Sequence, residues 1–159
     1  MAKSAVKNNA TRILEAANIL YEVFTYSADF HTAEEVAEII GAAPETVFKT
    51  LVVLPESGKG KPVLVLIPSI QELNLKKLGL AIGEKKVRMA TKKEAESLTG
   101  LLIGGISPLA LMQKGWKVYI DEIALIMEYI YVSGGQRGIN IQVPPEPFIA
   151  LVAATPISL

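Results

Sequence analysis

Apolar and polar positions alternate along the chain in two periods, and the switches between them mark out the elements. Behind Asn9, the residues Ile13, Leu14 and Ala17 fall on one face of a helix. Residues 21–26 alternate and predict a strand. Thr32 and Glu35 stand at capping-box spacing ahead of Val36, Ile39 and Ile40, and Gly41 suits the helix end. Pro44 can open a short helical turn. Residues 47–54 are rich in β-branched and large apolar side chains and predict a strand. The glycine- and lysine-bearing stretch 56–62 predicts a long turn into a second strand, 62–67, giving a hairpin.

Asn74 can cap a helix running to about Ala81 and closed near Gly83, and 87–89 predicts a short strand. Thr91 and Glu94 repeat the capping-box pattern before a helix ending near Gly100. Short strands are then expected at 101–103, 117–121, 129–133 and 139–143, and a last helix at 147–153. Strands and helices mix without regular βαβ alternation. The expectation is a single α+β domain over 1–159 with a central mixed, mostly antiparallel sheet.

Composition narrows the function. Lys plus Arg equals Asp plus Glu, so the formal net charge is zero. A chain built for tight, sequence-blind nucleic-acid binding would be basic throughout, so any RNA contact here is expected to be local. Local basic clusters exist at Lys59 and Lys61, Lys76 and Lys77, Lys85, Lys86 and Arg88, and Lys92 and Lys93, and each also reads as solvated surface. There is no cysteine, which removes disulfides, thiolate metal sites and a cysteine nucleophile. No apolar run reaches the length of a membrane span and residues 1–9 lack a signal-peptide core, so a cytoplasmic protein without membrane contact is expected.

His31 is the only histidine, so a metal site of several histidines and cysteines is excluded and no metal or cofactor is expected. No G-x-S-x-G turn, Walker A loop or dinucleotide-binding glycine pattern is present. His31 itself is expected to cap a helix or lie on the surface. Two features remain unusual. Lys49 lies inside an otherwise apolar strand, where it either snorkels to water or lines a pocket as a partly desolvated ammonium. Gly104 and Gly105, followed by Ile106, Ser107 and Pro108, form either a plain connection or a loop whose amides approach a ligand. Gly134 and Gly135 after Ser133 pose the same choice, with a hairpin turn as the simpler reading.

Taken together, these segments resemble the YbaK family and the related editing domain inserted in bacterial prolyl-tRNA synthetases. Val47-Phe48-Lys49-Thr50-Leu51 resembles the V-x-K-T-L motif, and Gly104-Gly105-Ile106-Ser107-Pro108 resembles G-G-x-S-P. Tyr131-Val132-Ser133-Gly134-Gly135, with Arg137-Gly138, resembles the third motif. The segment from Asn9 to Leu14 resembles the opening helix, and that from Leu73 to Lys77 resembles L-D-L-K-K with Asn74 in place of aspartate. The likeness runs over nearly the whole chain.

The resemblance implies a barrel-like α+β fold and hydrolysis of the ester joining a mischarged amino acid to the 3′ acceptor end of tRNA, most of all Cys-tRNA(Pro). Ala-tRNA(Pro), another small aminoacyl ester, or binding of tRNA or a synthetase without catalysis are the alternatives. By resemblance Lys49 is the catalytic lysine. Tyr26, Gly104, Gly105, Ile106, Ser107, Pro108, Ser133, Gly134, Gly135 and Asn140 contribute to substrate binding, with Phe48 and Ile106 among the lining residues. Attack by the substrate's own thiol or by water is implied, charge being stabilised by Lys49 and the amides near Gly104 and Gly105. Prolyl-tRNA synthetase is the implied recruiting partner. One departure stands out: Asn140 occupies a position where relatives carry aspartate, so no role there can rest on a carboxylate.

Overall fold

In chain order, the computed structural model describes residues 2–159 as β1 (Ala2–Ser4), α1 (Asn9–Ala16), β2 (Glu22–Thr25), α2 (Ala33–Ile40), β3 (Phe48–Pro55), β4 (Val63–Pro68) and α3 (Leu75–Ile82). There follow β5 (Val87–Met89), α4 (Lys92–Thr99), β6 (Val118–Asp121), β7 (Ile130–Ser133), β8 (Ile139–Val143), α5 (Pro145–Val152) and β9 (Ala154–Ile157). Short 3₁₀ helices cover Pro44–Thr46, Pro108–Lys114 and Glu122–Ile126.

The strands form two sheets. One is antiparallel throughout, in the order β1-β2-β8-β7. The other runs β5-β3-β4-β6-β9, with antiparallel pairing around β3 and parallel pairing of β4 with β6 and β6 with β9. A single parallel bridge, Val47 to Tyr131, joins the sheets where β3 begins. The mixed α+β architecture agrees with the sequence expectation, with two bridged sheets forming the frame.

Side-chain alternation in β3 and β4 divides the core. Phe48, Val52, Leu64 and Leu66 join the main cluster with Leu14, Leu109, Ile141 and Phe148. The opposite faces send Val53, Val65 and Ile67 against Leu78 of α3, with Leu51 packed beside them. Lys49 shares this second face, paired with Ile67 at the edge of that cluster.

The capping boxes form as their spacing dictates. Thr32 accepts from the Glu35 amide and Thr91 from the Glu94 amide, each glutamate reaching back to its cap. Gly41, Gly83 and Gly100 close α2, α3 and α4 in the left-handed conformation that glycine adopts readily. The first helix starts one residue earlier than Asn9 suggests: Asn8 is the cap, accepting from the Thr11 amide.

One expected strand does not form. Residues 101–103 make a turn, because the Ile103 peptide is taken by side chains. Its N–H donates to Glu96 Oε2 at 2.8 Å and its carbonyl accepts from Arg137 Nε at 2.7 Å. Neither group is left for a ladder.

Candidate active site

A cavity of about 360 Å³ opens beside the bridge between the two sheets. β3 contributes Lys49 and Thr50, the start of the 27–32 loop follows Tyr26, and β7 and β8 contribute Ser133 and Asn140. Ile106 and Gly104 close it from the glycine-rich loop, and Phe48 and Val52 give it an apolar floor. A wider depression of about 710 Å³, around Lys7, Glu15 and Tyr21, holds none of the site residues expected from sequence. A second 360 Å³ hollow at Val53, Lys61 and Tyr119 holds none either. The chemistry therefore concentrates at the bridge.

Lys49 is half-buried, and its ammonium donates to the Ser69 carbonyl at 3.4 Å. Ser69 is fixed in turn. Its N–H donates to the Val47 carbonyl at 2.7 Å and its hydroxyl to the Pro44 carbonyl at 2.6 Å. An ammonium carries three donors, so this contact orients Lys49 and leaves donors for a substrate oxygen.

Tyr26 and Asn140 face each other at the cavity wall. Burial pushes the Tyr26 hydroxyl up to about 12, against a smaller opposing pull from the Asn140 side chain. The phenol is therefore a neutral hydrogen-bonding group at physiological pH. Asn140 is 5% exposed, and its Oδ1 is a buried acceptor with no partner among the described residues.

The glycine motifs divide by role. Gly104, at φ +95°, lies exposed on the cavity rim, and its N–H has no acceptor among the described residues. Gly105, Ser107, Pro108, Gly134 and Gly135 do not line the cavity. Gly105 lets the glycine loop close against residues 136–137, and Gly134 lets its own β7–β8 hairpin close on Ile139. A Cβ on Gly105 would stand 2.9 Å from Gln136 Cα, and one on Gly134 would stand 2.4 Å from Ile139 Cγ2. The Gly105 N–H closes a turn onto the Leu102 carbonyl at 2.8 Å, which removes it from the expected set of charge-stabilising amides. Ser107 is fully buried and caps the following 3₁₀ helix through Leu109 N–H, with Pro108 at its first position. Ser133 links the motifs, donating to the Gly104 carbonyl at 3.3 Å and accepting from Gly135 N–H at 3.3 Å.

Sequence reasoning missed His31, Phe30 and Ser69. His31 lines the cavity instead of capping α2, a role Thr32 takes. Its ring meets Tyr26 edge-on at 5.7 Å between centroids, and its Nε2 is buried without a partner among the described residues. No periodicity flags such a loop residue. A histidine beside a capping box, in a chain with no other, was the available signal.

A lysine held by a carbonyl in a small, partly apolar cavity, beside a free loop amide, suits an ester whose carbonyl develops negative charge. The comparisons agree in kind. The sequence pattern of the aminoacyl-tRNA editing domain matches residues 27–151, and the chain belongs to that family, a class of deacylases.

Among individual relatives, the chain is 41% identical over 151 residues to an Enterococcus faecalis protein provisionally named Cys-tRNA(Pro)/Cys-tRNA(Cys) deacylase EbsC. That match spans 94% of this chain and 90% of the relative. It is 33% identical over 113 residues to a proline–tRNA ligase of Thermodesulfovibrio yellowstonii, spanning 70% of this chain but 18% of the ligase. A solved structure described provisionally as a trans-editing enzyme for prolyl-tRNA synthetase superposes with a TM-score of 0.76, 28% identity and 98% coverage of both chains. A hypothetical protein of known structure superposes at 0.84 with 24% identity and shows the same fold. No helix among the described residues is long and apolar enough to cross a membrane.

Proposed function

We propose that this deacylase hydrolyses Cys-tRNA(Pro) in trans, with Lys49 as its catalytic residue. The observation that carries the reading is the Lys49 ammonium, anchored by the Ser69 carbonyl and facing the cavity with donors to spare. The 41% identity to the Enterococcus protein supports the choice of cysteinyl ester. The ligase and trans-editing relatives support prolyl-tRNA synthetase as the partner.

In the proposed reaction a nucleophile, the substrate thiol or a water, adds to the ester carbonyl carbon. The carbonyl oxygen gathers negative charge next to Lys49 and the Gly104 N–H. The C–O bond to the terminal ribose then breaks, and the ribose oxygen takes up the proton that the nucleophile gives up, releasing the free amino acid after water attack or its cyclic thioester after thiol attack. The substrate ester is already reactive, so positioning and charge stabilisation suffice. In this reading Asn140 Oδ1 and the Tyr26 hydroxyl hold the amino-acid end, which their shared cavity wall supports.

The test is deacylation of Cys-tRNA(Pro) and Ala-tRNA(Pro), side by side, by the wild type and Lys49→Ala. The expected result is preference for the cysteinyl ester and a loss of roughly 100- to 1,000-fold in Lys49→Ala. A variant within a few-fold of wild type removes Lys49 from the mechanism. Preference for the alanyl ester keeps the class and moves the specificity.

A further inference from the structure

Phe30 is an apolar ring left half in water at the mouth of the cavity: it is 50% exposed and still counts among the lining residues. Its neighbour is a cation. The Arg137 guanidinium carbon lies 5.5 Å from the Phe30 ring centroid. Arg137 is anchored by one donor only, Nε to the Ile103 carbonyl at 2.7 Å. Its remaining N–H groups have no acceptor among the described residues.

The two side chains pack on the same spot, since a Cβ on Gly104 would touch Arg137 Cγ at 3.4 Å and Phe30 Cδ1 at 3.7 Å. The nearest acid in sequence, Asp29, is engaged by Ser27, whose hydroxyl donates to Asp29 Oδ2 at 2.7 Å.

We infer that Phe30 and Arg137 form the platform for the terminal nucleotide of the RNA, the base stacking on the Phe30 ring and the free Arg137 donors holding the adjoining phosphate. The inference rests on the deacylase reading. If the aminoacyl group enters the cavity, the nucleotide that carries it must lie at the mouth, where this pair stands. Stacking on an aromatic ring and a guanidinium is how proteins hold unpaired RNA ends. A protein partner is the poorer match, because one ring is small beside the roughly 800 Å² that each side of a stable protein interface buries. The zero net charge adds to this: affinity for RNA has to come from a few placed groups.

The experiment reads binding of an uncharged single-stranded RNA ending in CCA, and of the same RNA without its terminal A, by fluorescence anisotropy. The wild type is expected to bind the complete RNA more tightly. Phe30→Ala is expected to lose about 5- to 100-fold of that affinity, with Phe30→Tyr retaining it. Arg137→Gln is expected to weaken binding and flatten its salt dependence. On charged tRNA, Phe30→Ala should raise KM with kcat kept within a few-fold.

Equal affinity of wild type and Phe30→Ala, indifference to the terminal A, no binding by wild type, or a loss confined to kcat each overturns the platform. Thermal unfolding of Phe30→Ala checks its fold, which the half-exposed position should leave intact. Because the RNA is uncharged, the two readings fail separately. Phe30-dependent binding without deacylation sinks the proposed reaction and spares the platform. Deacylation without it does the reverse.

Discussion

Lys49 Nζ stands 3.4 Å from the Ser69 carbonyl oxygen, and Ser69 is itself pinned to Val47 and Pro44, the residues leading into the strand that carries the lysine. The sequence thus folds back to hold its own cation. The antiparallel register of β3 and β4, with Lys49 opposite Ile67 and Phe48 opposite Pro68, brings Ser69 to that place.

Ser69→Ala keeps the carbonyl and removes the hydroxyl clamp on Pro44. The Pro44 carbonyl still accepts from Val47 N–H at 3.2 Å, so the stability cost should be about 1 kcal/mol by urea unfolding. Deacylation should fall by about threefold to tenfold as the lysine loses part of its positioning. A loss matching that of Lys49→Ala would mean that the Ser69 hydroxyl acts on the substrate directly.

Gly105→Ala tests the interlock. The added carbon meets backbone, Gln136 Cα at 2.9 Å and Arg137 N at 3.1 Å, which cannot swing aside. We expect about 1–3 kcal/mol of destabilisation by thermal or urea unfolding, together with lost activity as the two loops separate. An Ala variant as stable as wild type would show that the loops have slack.

The raised Tyr26 hydroxyl makes an alkaline prediction. In the unfolded chain it ionises near 10, and in the folded one near 12. Between those values the unfolded state holds fewer protons, so its contribution is complete below pH 10 and drains away as pH rises to about 12. Tyr26→Phe should abolish that part of the decline, on the order of 2 kcal/mol, in urea titrations compared pairwise. Parallel curves for the two proteins would place the tyrosine in water.

Glu94 makes the opposite prediction in acid. Arg88 grips it through two contacts, Nη1–Oε1 at 2.7 Å and Nη2–Oε2 at 2.8 Å, and Thr91 N–H adds a third, holding the carboxyl down to about 2. The depressed value means stability present above the usual carboxylate range and lost as pH falls from about 4.5 toward 2. Glu94→Gln should flatten the acid limb of the unfolding curve in that window and lower stability at pH 7 by the same amount, a small effect because the pair is partly exposed. An unchanged acid limb would sink the assignment.

Much of this fold was legible because local chemistry and global packing agree. The Thr32–Glu35 and Thr91–Glu94 boxes and the Val87–Met89 strand sit where spacing puts them. What escaped reading depended on distant partners. β9 carries Pro156, which reads as a breaker, yet it pairs in parallel at the sheet edge, where a missing N–H is tolerated. The last helix starts at Pro145 and ends before Ala153, a left-handed non-glycine at φ 54° that sequence does not announce. At the site, motif order pointed to the glycine loops but could not sort rim from frame. That division follows from clearances of about 3 Å between loops some thirty residues apart, and Ser69 and His31 reach the cavity through the same long-range folding.

The sheets meet at the Val47–Tyr131 bridge, and each delivers a different part of the cavity. Lys49 comes from one sheet, Ser133 and Asn140 from the other. On the proposed reading, mutation can therefore act on reactivity and discrimination as separate traits. An exchange such as asparagine for aspartate at position 140 alters the cavity wall beside Tyr26 while the strand bearing the lysine is untouched. A lineage built on this plan can rework one wall of its cavity without rebuilding the other.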